Sequence, residues 1–73
     1  MITYKQEKTD LGNILVIYDA NNNPIGNLSF VGKHHADCIL RSYGIHPVAF
    51  PCCDRRDITQ EDIEKIAHKY LGQ

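Results

Sequence analysis

The pattern of apolar and polar positions changes along the chain, and each change marks a predicted element. Residues 2–8 alternate, with Ile2 and Tyr4 on one side, which is typical of a half-exposed strand. Residues 14–18 are apolar throughout and rich in β-branched side chains. This run predicts a central strand that is covered on both faces or lies close to a partner surface. The intervening residues 10–13 have turn composition, so the two strands are expected to form a hairpin.

A third strand is predicted after a second turn. Residues 21–24 read Asn-Asn-Asn-Pro, and Asn tolerates left-handed backbone angles while Pro presets its own φ. Residues 25–31 then place Leu28 and Phe30 on one face and polar side chains on the other. The first half of the chain is therefore predicted to be a three-stranded antiparallel meander.

Residues 33–43 predict a first helix, because their apolar positions change to a helical period. The apolar positions that share one arc of a helical wheel are Ala36, Ile39, Leu40 and Tyr43. Gly44 follows as a residue that takes a left-handed angle easily at a helix end. We expect Ile45 to contact Leu40 across that end.

The last third of the chain predicts a short strand and a second helix. Prolines bracket residues 48–50, so an edge strand or an extended loop is expected there. The helix has Thr59 as N-cap, Asp62 at N3 and Gly72 past its end. Its predicted apolar face consists of Ile63, Ile66, Ala67, Tyr70 and Leu71. The order β-β-β-α-(β)-α predicts an α+β fold, a small antiparallel sheet of three to four strands with two helices on one face.

Composition predicts one folded domain over residues 1–73. The chain is 42% hydrophobic and 23% charged, which is ordinary for a globular protein. A domain of this size buries about 60% of the surface that its unfolded chain exposes, so self-association, a metal or a partner is expected to add to its stability. The formal charge of −1 is far from the cationic surface of a nucleic-acid binder.

A cytoplasmic location is the expectation from the termini and the cysteines. No apolar run approaches the roughly 18–20 residues that cross a bilayer, and the N-terminus has no signal-peptide pattern. The chain has three cysteines, an odd number that does not allow a fully paired disulfide framework. Free thiols are therefore expected, as in a reducing compartment.

Two groups of side chains have the chemistry of a functional site. On the predicted first helix, the outward side carries His34, Cys38 and Arg41, with the histidine and the cysteine one turn apart. Such a group can lower the pKa of a thiol, bind a metal or form a contact surface, and it also arises by chance on surface helices. The second group is the loop before the last helix, which comprises Cys52, Cys53, Asp54, Arg55, Arg56 and Asp57. The loop cysteines can equally pack as one inward and one outward side chain.

A zinc site and an enzyme are the less favoured interpretations. The candidate zinc ligands are His34, Cys38, His46, Cys52 and Cys53, whose spacing matches no zinc module. No cofactor is therefore expected, with zinc as the alternative. A nucleophilic cysteine needs a base, a group that orients the base and a cleft, and phosphate-binding glycine motifs are absent from the sequence.

The sequence therefore predicts a small non-enzymatic protein-binding module with a regulatory or inhibitory role. Its predicted contact residues are His34, Cys38, Arg41, Asp54, Arg55, Arg56 and Asp57. Small proteins of this kind are common among phage and mobile-element products that block host complexes such as defence nucleases. Inhibition of such a complex is therefore one version of the predicted role.

Three alternatives remain open. The first is a zinc- or thiol-dependent protein that uses the cysteines and histidines. The second is a weak nucleic-acid binder, with Lys33 and the arginines as a cationic patch and Tyr4, Tyr18 or Phe30 stacking on bases. The third is strand addition through residues 2–8 or 48–50, either to a partner or to a second copy, which would make a homodimer.

Overall fold

Five strands, each paired with its neighbour in sequence, form the sheet of this protein. The computed structural model describes residues 1–10, 12–31, 37–51 and 58–73. The strands are β1 (Thr3–Thr9), β2 (Gly12–Tyr18), β3 (Pro24–Val31), β4 (Asp37–Arg41) and β5 (Val48–Pro51), and the helix α1 (Gln60–Tyr70) follows them. The sheet order is β1-β2-β3-β4-β5 with antiparallel pairing throughout, so β1 and β5 are its edges.

The hydrophobic core lies between α1 and one face of the sheet. The strand register places Leu15 opposite Leu28 and Leu28 opposite Leu40, so a row of leucines crosses the three central strands. Ile63 and Ala67 of α1 are fully buried as well. Burying a leucine or isoleucine side chain contributes roughly 1.5–3 kcal/mol. At the β5 edge the ring of Phe50 stacks on Tyr70 of α1, with 5.5 Å between centroids.

The helix begins and ends where the sequence predicts. The Asp62 N–H donates to Thr59 Oγ1 at 3.2 Å, and the Thr59 N–H donates to Asp62 Oδ2 at 3.1 Å, which completes a capping box. Gly72 follows the helix with a φ of +69°. The predicted apolar face is confirmed, since all five of its side chains are buried or pack against the core.

Gly26 lies where the residue after the helix, Leu71, packs closely against the sheet. A β-carbon at this position would lie 3.1 Å from the Arg41 carbonyl oxygen and 3.2 Å from the δ-carbons of Leu71. Both distances are shorter than ordinary van der Waals contact, so the absence of a side chain lets Leu71 pack onto β3. The β2–β3 register also shifts beside this residue, because Ile17 pairs with Gly26 and Tyr18 with Pro24.

The predicted fold class is wrong. In place of a three- to four-stranded sheet with two helices, the described residues form a five-stranded antiparallel sheet with the single helix α1. Residues 37–41 of the predicted first helix form β4, and residues 33–36 lie outside the described residues. On β4, Cys38 and Leu40 point to the core while Ile39 between them stays partly exposed. The helical wheel instead grouped Ile39 and Leu40 on one side.

Long-range pairing is the physical reason for this difference. β4 is hydrogen-bonded to β3 on one side and to β5 on the other, which satisfies the backbone of a five-residue segment better than one isolated helical turn. Tyr43, predicted for the core, is fully exposed, and Ile45 is 37% exposed. Gly44 does adopt a left-handed φ of +84°, but in the turn between two strands.

The predicted meander, the asparagine turn and the edge strand are confirmed, whereas Gly12 and Asn13 of the predicted turn at residues 10–13 belong to β2. The first half of the chain is an antiparallel meander, and residues 48–50 belong to an edge strand. The asparagine turn is closed by Asp19, whose carboxylate accepts the N–H groups of Asn21 and Asn23, each at 2.9 Å. Asn22 takes the left-handed conformation, with a φ of 64°.

Candidate binding face

The sheet face opposite α1 carries apolar side chains in its centre. We call this the outer face. On β2, Leu15 and Ile17 are buried towards the helix, whereas Ile14 and Val16 point to the outer face and stay partly exposed. Ile39 on β4 is partly exposed on the same face. A one-sided antiparallel sheet normally has polar residues on its solvated face, so these side chains are an exception to the usual pattern.

Cross-strand register fixes which side chains are neighbours on the outer face. Lys5 pairs with Val16, Val16 with Asn27, and Asn27 with Arg41, so one row crosses four strands. The row has cationic ends and an apolar and an amide side chain between them. Directly paired residues have Cβ atoms about 4.5–5.5 Å apart, so these side chains form one continuous surface.

Asn27 and Arg41 form the β3 and β4 part of this row. The Arg41 Nη1 donates to Ser29 Oγ at 3.4 Å, which holds the guanidinium over the sheet. Arg41 and Asn27 both line two shallow depressions, of about 570 and 600 Å³. Val16 belongs to the first depression, and Ile14 belongs to the second. The guanidinium is therefore placed between two recesses with apolar walls.

Tyr18 forms a small polar cluster with β1 at one side of the outer face. Its hydroxyl donates to Glu7 Oε1 at 2.8 Å, and Lys5 Nζ lies 5.5 Å from the centre of its ring. The hydrogen bond to Glu7 raises the pKa of Tyr18 above its ordinary value of 10.0, with smaller effects from desolvation and from the charge of Glu7. The phenol therefore stays neutral at physiological pH and acts as a donor.

Glu7→Gln is expected to bring the pKa of Tyr18 back towards its ordinary value. A neutral amide oxygen accepts a weaker hydrogen bond from the phenol than a carboxylate does, and it carries no charge that disfavours the phenolate. Since the neutral phenol is the favoured form, its contribution to stability is present below pH 10 and is lost as the pH rises through the raised pKa. NMR titration of the Tyr18 Cζ resonance measures this pKa directly, and an identical titration in both proteins would contradict the assignment.

The residues predicted as contacts fall in different places. Arg41 lies exposed on the outer face, on a strand instead of a helix. Cys38 is 0% exposed and points to the core, so its predicted outward position is wrong. His46 is exposed between β4 and β5. The other candidates lie outside the described residues: His34, Cys52, Cys53, Asp54, Arg55, Arg56 and Asp57.

Cys38 is part of a disulfide. The prediction of free thiols is therefore wrong for this residue. A sulfur in a disulfide is not a thiolate, so Cys38 in this state is neither a nucleophile nor a zinc ligand. The chain has two further cysteines, Cys52 and Cys53, both outside the described residues.

The described residues contain neither a cluster of metal-binding side chains nor a membrane-spanning helix. Within the ranges given above, no three His, Cys, Asp or Glu side chains converge in a way that could hold a metal ion. No helix in the same ranges has the length and apolar character to span a bilayer.

The sequence predicted that residues 14–18 would be covered on both faces or lie close to a partner surface, but it did not identify the side chains that stay exposed on the outer face. The signal was present, because an uninterrupted apolar strand needs cover on both faces and α1 is the one helix that the described chain supplies. The apolar centre of the outer face consists of Ile14, Val16 and Ile39, and it is bordered by the exposed Val31 and Ala49.

Comparison of the chain with protein-family models, with curated proteins and with solved structures gives no match.

Proposed function

We propose that this chain is a small non-enzymatic protein-binding module with a regulatory or inhibitory role, and that its outer face makes the contact. The observation that carries the proposal is the partly exposed apolar centre formed by Ile14, Val16 and Ile39. These side chains lie on the face opposite the buried core, so the core does not account for them. Apolar patches bordered by polar residues are typical of interaction sites.

The arrangement of side chains resembles the usual anatomy of a protein interface. Such interfaces have an apolar centre, a polar rim and an enrichment of arginine among the residues that matter most for affinity. Here Arg41 lies among the apolar side chains and contacts Ser29, while Lys5 and Glu7 lie at the β1 side. A partner side chain that enters either recess beside Arg41 would contact both an apolar wall and a guanidinium.

The balance of charge on the outer face favours a protein over a nucleic acid. Lys5 and Arg41 are cationic, and Glu7 and Asp37 on the same face are anionic. The two anions therefore cancel most of the positive potential of the two cations, and salt screens what remains beyond one Debye length, roughly 8 Å at physiological salt. A phosphate backbone needs an uncompensated cationic surface, whereas a protein partner of mixed charge does not.

Two variants of the outer face test this proposal. Arg41→Glu reverses the charge beside the apolar centre, and Val16→Lys puts a charge into that centre. Wild-type protein on a resin is used to capture partners from a lysate of the source organism, and the purified partner is then titrated against each variant. We expect both variants to lose about tenfold or more in affinity, as for residues near the centre of an interface.

Lys65→Glu is the matched control, because it makes a similar charge reversal on the opposite side of the molecule. Lys65 is 72% exposed on α1, where its Nζ lies 3.4 Å from Glu61 Oε1. This variant is expected to bind the partner as wild type does. Variants Arg41→Glu and Val16→Lys that fold normally and keep wild-type affinity would overturn the assignment of the contact to the outer face.

A further inference from the structure

We infer that the edge of β1 pairs with β1 of a second copy, in an antiparallel register centred on Gln6. Among the described strands, β1 pairs with β2 alone, and every β1 side chain except Tyr4 is exposed. An edge strand presents a row of backbone donors and acceptors, which is a template for another strand. Its seven residues make it longer than β5, the four-residue edge at the other side, which contains Pro51.

The charges of β1 select one register of self-pairing. When two copies are related by a two-fold axis through Gln6, Lys5 of one copy lies opposite Glu7 of the other, and the same pair occurs twice. Opposite charges directly across a strand pair stabilise it, and like charges destabilise it. This register also pairs all seven residues of the strand, from Thr3 opposite Thr9 through to Thr9 opposite Thr3.

The neighbouring symmetric registers place like charges together. A two-fold axis through Lys5 puts two lysines face to face, and an axis through Glu7 does the same with two glutamates. Each of these registers also pairs fewer residues of the strand. The charges that disfavour a shifted copy therefore favour the register centred on Gln6.

Side chains on the helix side of β1 fit the same register. Tyr4 of one copy lies opposite Lys8 of the other, which brings an ammonium group near an aromatic ring. At the centre, the two Gln6 side chains are opposite each other and can exchange amide hydrogen bonds. Both faces of the paired strands therefore carry complementary side chains.

Dimerisation in this register joins the outer faces of two copies. The two-fold axis is perpendicular to the sheet, so both helices lie on one side and both outer faces on the other. The result is a ten-stranded sheet with one continuous outer face. The pairing itself does not rest on the proposed function, but it would present two contact surfaces to one partner and raise affinity through multivalency.

Charge-reversed variants test the register. Sedimentation equilibrium of wild type over a concentration series is expected to show a reversible dimer of twice the 8.3 kDa chain mass. Lys5→Glu leaves glutamate at positions 5 and 7, and Glu7→Lys leaves lysine at both. Each variant alone should dimerise about tenfold or more weakly than wild type. An equimolar mixture of the two variants should recover the dimer, because each strand is then opposite its complement.

The controls separate this inference from the proposed function. Lys65→Glu changes charge away from β1 and should dimerise as wild type does. Circular dichroism checks that each variant is folded, since both positions also contact Tyr18. Wild type that stays monomeric at millimolar concentration, or a mixture that stays as monomeric as its components, overturns the pairing. A monomer that still captures a partner through Arg41 leaves the proposed function intact, and a dimer that captures none leaves the pairing intact.

Discussion

Leu40→Ala is expected to lower the free energy of unfolding by about 2–5 kcal/mol, the range for a leucine deleted from a packed core. Leu40 is fully buried on β4 and lies opposite Leu28 at the centre of the sheet. The total free energy of unfolding of a native protein is about 5–15 kcal/mol, so this loss is a large fraction of the stability. Each kcal/mol shifts the Tm of a domain of this size by roughly 4–8 °C. Urea denaturation followed by circular dichroism measures the change.

Ile39→Ala is the matched control for this experiment. It removes the same number of carbon atoms from the adjacent residue of the same strand, but from the partly exposed outer face. We expect a cost of about 1 kcal/mol or less, because less apolar surface is lost from the interior. Equal losses in the two variants would contradict the strand geometry of residues 37–41, since the two side chains would then share one environment as the helical wheel implied.

The C-terminal helix was predictable because its signals are local. Thr59, Asp62 and Gly72 lie within the helix or at most two residues beyond it, so the positions of the caps are set by sequence spacing alone. The apolar face follows from the 3.6-residue period in the same way. The meander of β1 to β3 was also accessible, since alternation and turn composition both operate over a few residues.

The identity of β4 was not accessible from local pattern. Within its five residues, only Cys38 and Leu40 repeat with the period of two that marks a strand. This pattern is too short to outweigh the helical period predicted over the eleven residues 33–43. What decides the conformation is pairing with β3 and β5, whose partners lie up to fourteen residues away. Sequence periodicity does not encode these pairings, because strand neighbours depend on the whole topology.

The candidate site was predictable in part, although the helix from which its residues were predicted is a strand. Arg41 was selected as an outward residue of a helix, and it does point outward, because an arginine avoids the core on either kind of element. Cys38 was selected on the same wheel and is buried, as a cysteine on the apolar side of a strand commonly is. Ile39 was assigned to the core, and the strand that contains Val16 was expected either to be covered on both faces or to lie close to a partner surface, since a sequence does not show how many faces of its sheet a helix will cover.

Reduction of the disulfide at Cys38 is expected to destabilise the protein by about 2–4 kcal/mol, mainly because a cross-link restricts the unfolded chain. Cys38 is buried opposite Phe30 and Phe50, so the bond lies next to the aromatic side of the core. The urea midpoint with and without reductant measures the effect. A disulfide uses two of the three cysteines, so thiol titration of the unfolded protein should give one thiol per chain before reduction and three afterwards.

Cys38→Ala provides the control, because a chain without this sulfur has no such bond to reduce. Its urea midpoint should lie near that of reduced wild type and should not respond to reductant. A wild-type midpoint that is unchanged after thiol titration has shown full reduction would contradict the stabilising role of the bond. The same urea denaturation of the reduced protein tests the predicted cytoplasmic location, since the cytosol keeps thiols reduced. A reduced protein that is unfolded at 37 °C would need either an oxidising compartment or a bound partner to hold its fold.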